Sequence, residues 1–235
     1  MGLKILYGIL IALGIFIVIT LIRAVFFLPK KRDTKPLEDE HVDVERVAKH
    51  LSGAIQIPTI SYPENEKIDW SQFEKFHKYL EDSYPLIHKT LERENVAEAS
   101  LLYRWKGKNP DLEPIALLSH QDVVPIEPGT EGDWTHEPFS GYNDGEFIWG
   151  RGALDMKNHL ICVMEAVEAL LEEGYEPERD VYLCFGHNEE VVASESAGAK
   201  AIMNTLKSRG IHLDSVIDEG GAILPVNVKH VLKGN

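Results

Sequence analysis

Apolar positions in this chain follow two periods, one typical of helices and one typical of buried strands. Hydrophobic residues at helical spacing predict a helix over 44–55, which Pro58 should end, and another over 157–174. A further helical region covers 70–91, and Pro85 should kink or break it. Short apolar runs predict strands, and one more apolar segment predicts a helix. The strands cover 100–107, 114–120, 146–155, 180–187 and 213–218, and the last helix covers 194–209.

This alternation of helices with buried strands determines the expected fold class. Strands that read as continuous apolar runs are typical of sheets covered on both faces. We therefore expect an α/β fold, with a mixed, mostly parallel sheet flanked by helices, from residue 42 onwards.

The N-terminal segment has a different pattern, because it is apolar on every face. Residues 5–22, "ILYGILIALGIFIVITLI", are uncharged and long enough to cross a membrane, and apolar residues continue past Arg23. No small-residue cleavage site precedes "FFLPKKR", which favours an anchor over a cleaved signal peptide. We interpret 1–28 as a single-pass membrane anchor, in contact with the membrane through 5–28, and the charged, proline-flanked 29–41 as a linker.

Charge and cysteine content exclude two classes of function. The formal net charge of −14 argues against a nucleic-acid-binding surface, which needs a basic face. Only two cysteines occur, so neither a disulfide framework nor a thiolate zinc site is expected.

Each of four predicted strands runs into ionisable side chains. Ligands of open α/β sheets gather at the carboxyl ends of the strands, so we expect these groups to lie together. Converging carboxylates repel one another unless a cation neutralises them, and imidazole with carboxylates suits zinc or a similar divalent ion. From these residues alone, a divalent-metal site and ordinary polar strand ends both remain open. The four strand ends supply, in order, His120 and Asp122, then Asp155, then Glu189 and Glu190, then Asp218 and Glu219.

The segments around these residues resemble the M20 metallopeptidases, the aminoacylase/carboxypeptidase group. "SHQDVVP" is similar to the first motif of that family, "GRGALDMKN" to the second, "NEE" to the third and "DEGG" to the fourth. The resemblance covers about residues 42–228 and is closest to the branch of carboxypeptidase S and the N-acyl-amino-acid hydrolases. It implies a zinc-peptidase-like catalytic domain.

The resemblance also implies a set of metal ligands. His120 and Asp218 would bind one metal ion, Glu190 would bind a second, and Asp155 would bridge the two. The ions would be two Zn²⁺, with Co²⁺ or Mn²⁺ as possible replacements.

The same resemblance implies two catalytic residues and a reaction. Asp122 would hold the second nitrogen of the His120 imidazole. Glu189 would stay off the metals as the general base, taking a proton from a water held by both metals and passing it to the leaving amine. The expected reaction is hydrolysis of a peptide or N-acyl amide bond next to a free carboxylate.

The sequence departs from the family pattern in two places. Asn188 stands where an acidic residue usually precedes the two glutamates, and a longer loop follows them. The sequence also ends at Asn235, before the lid or dimerisation domain and the later histidine ligand of the family. We therefore expect 42–235 to be the N-terminal part of an M20 catalytic domain, and a homodimer only where the lid domain is present.

Two alternatives to an enzyme stay open in part. A truncated, non-catalytic metal-binding membrane protein would carry the same motifs, and a membrane-tethered interaction domain with a chance acidic cluster is disfavoured by the motif order. The side of the membrane is open as well. Basic residues after the span favour a cytoplasmic domain, whereas many relatives with hydrophobic N-termini work in lumenal or external spaces.

Overall fold

The structure is a computed structural model that describes residues 2–27, 42–191 and 198–220. The chain separates into two compact units, residues 1–42 and 43–235. In the first unit, helix α1 (Gly2–Phe26) is exposed along its whole length, and an 18-residue stretch within it has a mean hydropathy of 2.9. By length and composition it is a candidate membrane span, and a signal sequence would have the same properties. The predicted linker over 29–41 lies outside the described residues.

The second unit begins with helices whose ends follow local rules. Asp43 accepts a hydrogen bond from the Arg46 amide and starts α2, and Asp69 caps α3 in the same way. Pro85 breaks the third predicted helical region as expected, because it stands at the first position of a new helix, α4. The helices of this unit are α2 (Val44–Ile55), α3 (Trp70–Ser83), α4 (Pro85–Thr90), α5 (Lys157–Glu172) and α6 (Gly198–Ser208).

Within the described part of the second unit, the main sheet has five strands in the order β1-β2-β6-β3-β7. Strand β2 is antiparallel to both of its neighbours, and the β6-β3 and β3-β7 pairs are parallel. Four of the five strands therefore run in the same direction, as the fold prediction requires. These strands are β1 (Glu92–Val96), β2 (Ser100–Trp105), β3 (Ile115–His120), β6 (Val181–Gly186) and β7 (Ser215–Ile217).

Helices cover both faces of this sheet. Alternate residues of β2 point to opposite faces, so Leu101 and Tyr103 join one buried cluster and Leu102 joins another. The first cluster packs α2 to α5 on one face, and the second packs α6 on the other through Ile202 and Leu206. The α/β prediction is confirmed.

The strand predicted over 146–155 is wrong over most of its length, and two strands, β1 and β4 (Tyr142–Asn143), were not predicted. Of 146–155 only β5 (Ile148–Trp149) is a strand, and it pairs with β4 in a separate hairpin. The chain cannot continue as a strand because Gly150 and Gly152 have φ of +149° and +85°. Strands β1 and β4 carry few apolar residues, so no periodicity marks them.

Candidate metal centre

Parallel strands bring three of the four predicted strand ends to one edge of the sheet. His120, the last residue of β3, pairs in register with Gly186, the last residue of β6. The residues that follow both strands therefore leave the sheet side by side, and Asp218 follows β7 at the same edge. This arrangement comes from strand direction alone and matches the expectation for open α/β sheets.

Asp155 reaches the same place from a turn rather than from a strand. In this turn Gly152 lies so close to Val123 that a Cβ atom would be 2.7 Å from Val123 Cγ1. The peptide bond between Asp155 and Met156 is cis. Asp155 Oδ1 lies 3.1 Å from His120 Nε2, and 64% of the Asp155 side chain is exposed.

Among the residues that the structure describes, two groups of side chains have geometry suited to a metal ion, and both contain His120. In the first group, one atom each from His120, Asp155 and Glu190 lie within 4.8 Å of one another. In the second, atoms of His120, Glu189 and Glu219 meet the same condition. His120 is almost fully buried, whereas the Glu189 side chain is 51% exposed, so the cluster opens to solvent on its carboxylate side.

Asp218 and Glu219 occupy different places in this cluster. Glu219 Oε1 lies 3.5 Å from His120 Nε2. The Asp218 carboxylate accepts a hydrogen bond from the Glu219 amide and belongs to neither group among the described residues. Both residues line a cavity of about 440 Å³ beside His120, with apolar walls that include Leu118 and Ile202. The metal role of Asp218 stays a prediction, and Glu219 is the carboxylate of this pair that lies near the imidazole.

Asp122 is fully buried beneath the cluster and joins its parts. Its Oδ1 atom lies 3.3 Å from His120 Nδ1 and accepts a hydrogen bond from the Glu189 amide. Its Oδ2 atom accepts hydrogen bonds from the Ser61 hydroxyl and the Glu190 amide. Burial by itself raises a carboxyl pKa, but the hydrogen bonds from His120 and Ser61 outweigh it and hold the pKa of Asp122 below its ordinary value. The carboxylate is therefore ionised where it faces the imidazole.

Charge in the cluster favours a cation. Burial would lower the pKa of His120, but its hydrogen bond with Asp122 and the nearby carboxylates raise that pKa to about 9. Burial, and then the charge of Asp155, raises the pKa of Glu190. Burial also raises the pKa of Glu219. The raised pKa values of the two glutamates and of the imidazole show that the cluster as a whole favours additional positive charge. A divalent ion would supply that charge. The nitrogen and oxygen donors therefore fit zinc or a similar metal.

Sequence reasoning did not identify two buried residues next to this centre. Ser61 lies 61 residues before Asp122 and in a different element, so no spacing pattern links them. Lys157 is fully buried, and its Nζ donates hydrogen bonds to the carbonyl oxygens of Ala54 and Ile57 at distances of 2.9 and 2.6 Å. Lys157 thereby holds the carboxyl end of α2 against the start of α5, and burial lowers its pKa to about 7.

Comparison with known proteins gives a family match over the same segment. The model of "Peptidase family M20/M25/M40" matches residues 116–228, which include every predicted metal ligand and catalytic residue.

Two curated relatives have names that state an activity. Carboxypeptidase S of Saccharomyces cerevisiae is 42% identical over 188 residues, which are 75% of this chain and 32% of that protein. The N-fatty-acyl-amino acid synthase/hydrolase PM20D1 of Mus musculus is 38% identical over 199 residues, which are 83% of this chain and 38% of that protein. The chain thus spans about a third of the length of these relatives.

Solved structures show the same fold. The M20 family metallo-carboxypeptidase Sso-CP2 of Sulfolobus solfataricus superposes with a TM-score of 0.57 at 21% identity, over 75% of this chain and 38% of that one. The YXEP protein of Bacillus subtilis, described as a dinuclear metal binding peptidase from the M20 family, gives a TM-score of 0.50 at 18% identity. It is matched over 77% of this chain and 44% of its own.

Proposed function

Because this chain belongs to peptidase family M20/M25/M40, we propose that its site hydrolyses a peptide or N-acyl amide bond next to a free carboxylate. The observation that carries the proposal is the meeting of His120, Asp155 and Glu190 at one point, with the exposed Glu189 carboxylate beside them. A metal-binding group next to a solvent-facing carboxylate is the arrangement that metal-assisted hydrolysis requires.

The proposed ligands hold two zinc ions, with Co²⁺ or Mn²⁺ as alternatives. His120, Asp155, Glu190 and Asp218 would supply the donors, and Asp155 would be the carboxylate shared by both ions, as the resemblance to the family implies. When bound, the metals supply positive charge that polarises the substrate carbonyl and lowers the pKa of a water molecule. Asp122 keeps Nδ1 of His120 engaged, which leaves Nε2 turned toward Asp155 and available as a ligand.

Glu189 moves the protons of the reaction. Its carboxylate lies 3.8 Å from His120 Nε2 and is half exposed, so water reaches it directly. Glu189 accepts one proton from the attacking water while the water oxygen forms its bond to the substrate carbonyl carbon. It then donates that proton to the amide nitrogen as the C–N bond breaks, giving a carboxylic acid and a free amine.

The two named relatives support the same substrate class from two directions. A carboxypeptidase cleaves the peptide bond that precedes a C-terminal amino acid. An N-fatty-acyl-amino acid hydrolase cleaves the amide bond between a fatty acyl group and an amino acid. In both, the scissile amide stands next to a carboxylate. We propose that the full-length protein recognises this shared chemistry, and that residues 5–28 attach it to a membrane.

The experiment uses the full-length protein purified from its own cells. An N-acyl amino acid and a dipeptide are each offered as the free acid and as the C-terminal amide. We expect hydrolysis of at least one free acid, little hydrolysis of its amide, loss of activity after chelation, and recovery when Zn²⁺ is restored. Activity that survives complete removal of metal would contradict the proposal.

A further inference from the structure

Asp122 receives hydrogen-bond donors from three separate parts of the fold. His120, at the end of β3, places Nδ1 3.0 Å from the backbone carbonyl of Asp122 and 3.3 Å from Oδ1. The amides of Glu189 and Glu190 belong to the turn after β6. The third part of the fold supplies the Ser61 hydroxyl, 2.6 Å from Oδ2, which is the shortest of these contacts. One carboxylate therefore fixes the position of the imidazole relative to the turn that carries both glutamates.

Ser61 reaches Asp122 through a buried segment, residues 57–61, that runs beside 121–123. The Val123 amide donates to the Thr59 carbonyl at 3.0 Å, and the Ser61 amide donates to the Val123 carbonyl at 3.2 Å. The Thr59 hydroxyl also donates to the Gln121 carbonyl at 2.6 Å. Thr59 and Ser61 are 0% and 2% exposed, so the hydroxyl of Ser61 has a fixed direction.

We infer that Ser61 is a positioning residue for the metal centre. By donating to Asp122 Oδ2 it holds the plane of the carboxylate, and through it the imidazole of His120 and the turn at Glu189. This inference rests on the proposed function, since it assigns to Ser61 a part in the assembly of that same site.

The physical reason is the freedom of an aspartate side chain about its last torsion angle. That torsion has a broad, roughly two-fold preference, so the backbone of Asp122 does not by itself fix the carboxylate plane. The amide of Glu190 lies 3.2 Å from Oδ2 and holds it less closely than the hydroxyl of Ser61 does. Loss of the hydroxyl lets Oδ1 turn away from His120 Nδ1, which lies 3.3 Å from it. The imidazole then keeps only the hydrogen bond of Nδ1 with the Asp122 backbone carbonyl, at 3.0 Å, and loses the charged partner that helps to orient it.

A purely structural role for Ser61 predicts a different result, and Thr59 provides the matched control. Both side chains are buried hydroxyls in the same segment, and each makes one hydrogen bond of 2.6 Å. Thr59 donates to a backbone carbonyl, whereas Ser61 donates to the carboxylate that contacts the imidazole. Loss of either hydroxyl costs stability, but only loss of the Ser61 hydroxyl disturbs Asp122.

The test compares Ser61→Ala with Thr59→Val in the full-length protein. We measure Zn²⁺ affinity by competition with a chelating dye, kcat and KM with saturating Zn²⁺, and thermal unfolding. We expect Ser61→Ala to weaken Zn²⁺ binding about tenfold and to lower kcat with little change in KM, at the low end of effects for residues behind a metal ligand. Thr59→Val should keep the native Zn²⁺ affinity and kcat while losing a similar amount of thermal stability.

Two further variants keep the inference testable if Ser61→Ala does not fold. Ser61→Thr keeps the hydroxyl and should retain native Zn²⁺ affinity, whereas Ser61→Cys has only a weak donor and should behave as Ser61→Ala. Equal Zn²⁺ affinity and kcat in the Ser61 and Thr59 variants would overturn the positioning role while leaving the proposed function intact. A native protein that binds no Zn²⁺ would overturn both.

Discussion

The His120 imidazole lies among four carboxylates at the centre of the site. In the absence of metal its pKa of about 9 lies well above the ordinary value, mainly because Asp122 and the nearby carboxylates stabilise the imidazolium against burial. At neutral pH the positive charge of the imidazolium therefore offsets part of the negative charge of the carboxylates, as a bound cation would. A metal that binds Nε2 must displace that proton.

This exchange predicts how metal affinity depends on pH. Between pH 6 and pH 8 the apparent affinity for Zn²⁺ should rise by about tenfold per pH unit and level off above pH 9, because the fraction of unprotonated His120 follows that course when its pKa is about 9. Calorimetry in buffers of different ionisation enthalpy should show release of about one proton per site at pH 7. Binding at pH 7 with no proton release would contradict the protonated state of His120 in the metal-free site.

Glu189 and Glu190 are neighbours with different proposed roles, so they can be separated by experiment. Glu189→Gln should lower kcat by about 10²- to 10⁴-fold, because it removes the proton acceptor while the metal ligands remain. Glu190→Gln is the matched control and should lower metal content as well as activity. Metal content is measured by inductively coupled plasma mass spectrometry. Loss of metal in Glu189→Gln would show that Glu189 is a metal ligand and not only a general base.

At the scale of residues, the sequence predicted the site residues that lie within short motifs. It did not predict those that only folding brings close to the metal site. His120 and Asp155 lie within hydrogen-bond distance although they are 35 residues apart, and their motifs gave both. Ser61 belongs to no motif that marks a metal site, and only folding brings its hydroxyl to Asp122. Nor does spacing decide between Asp218 and Glu219, since adjacent residues share one motif and only their side-chain directions differ.

The elements of the site were predicted where periodicity was strong. Strands β3 and β6 are continuous apolar runs, and their parallel pairing places both ends at one edge. The segment 146–155 looks like a third such run, yet its glycines turn the chain away from the sheet. An apolar run with two glycines near its end can be a strand or a turn, and the backbone angles that decide this are set by contacts with other elements.

The turn at Gly152 provides a prediction at this scale. Gly152→Ala should lower the free energy of unfolding by about 1–3 kcal/mol, because alanine is strained at φ +85° and its Cβ would meet Val123. Displacement of the turn should also move Asp155 and reduce metal content. Gly129→Ala is the control, since Gly129 has φ of +90° with open space around it. The two effects are measured by thermal unfolding and metal analysis, and equal metal content in both variants would contradict a link between this turn and the site.

At the scale of the whole molecule, helix α1 makes a prediction that does not depend on catalysis. If residues 5–28 are an uncleaved anchor, the native protein should stay in the membrane pellet after alkaline carbonate extraction. N-terminal sequencing should then find residues 1–28 still attached. A soluble protein whose N-terminus lies beyond residue 28 would show instead that the segment is a removed signal sequence.

The fold class followed from the sequence because the central strands are continuous apolar runs and because α5, β6, α6 and β7 alternate. Alternating elements with apolar strands leave few arrangements other than a covered, mostly parallel sheet. The strand order and the polar edge strand β1 did not follow, since they depend on pairings between distant segments.

The measurement that tests the central claim most directly is the metal content of the full-length protein and of its Asp155→Ala variant. The account predicts about two divalent ions per native chain, as expected for a two-metal hydrolytic site. Asp155→Ala should lose metal and hydrolytic activity together, because its carboxylate is proposed to bridge both ions. A native protein with no bound metal, or a variant with unchanged metal and activity, would contradict the account.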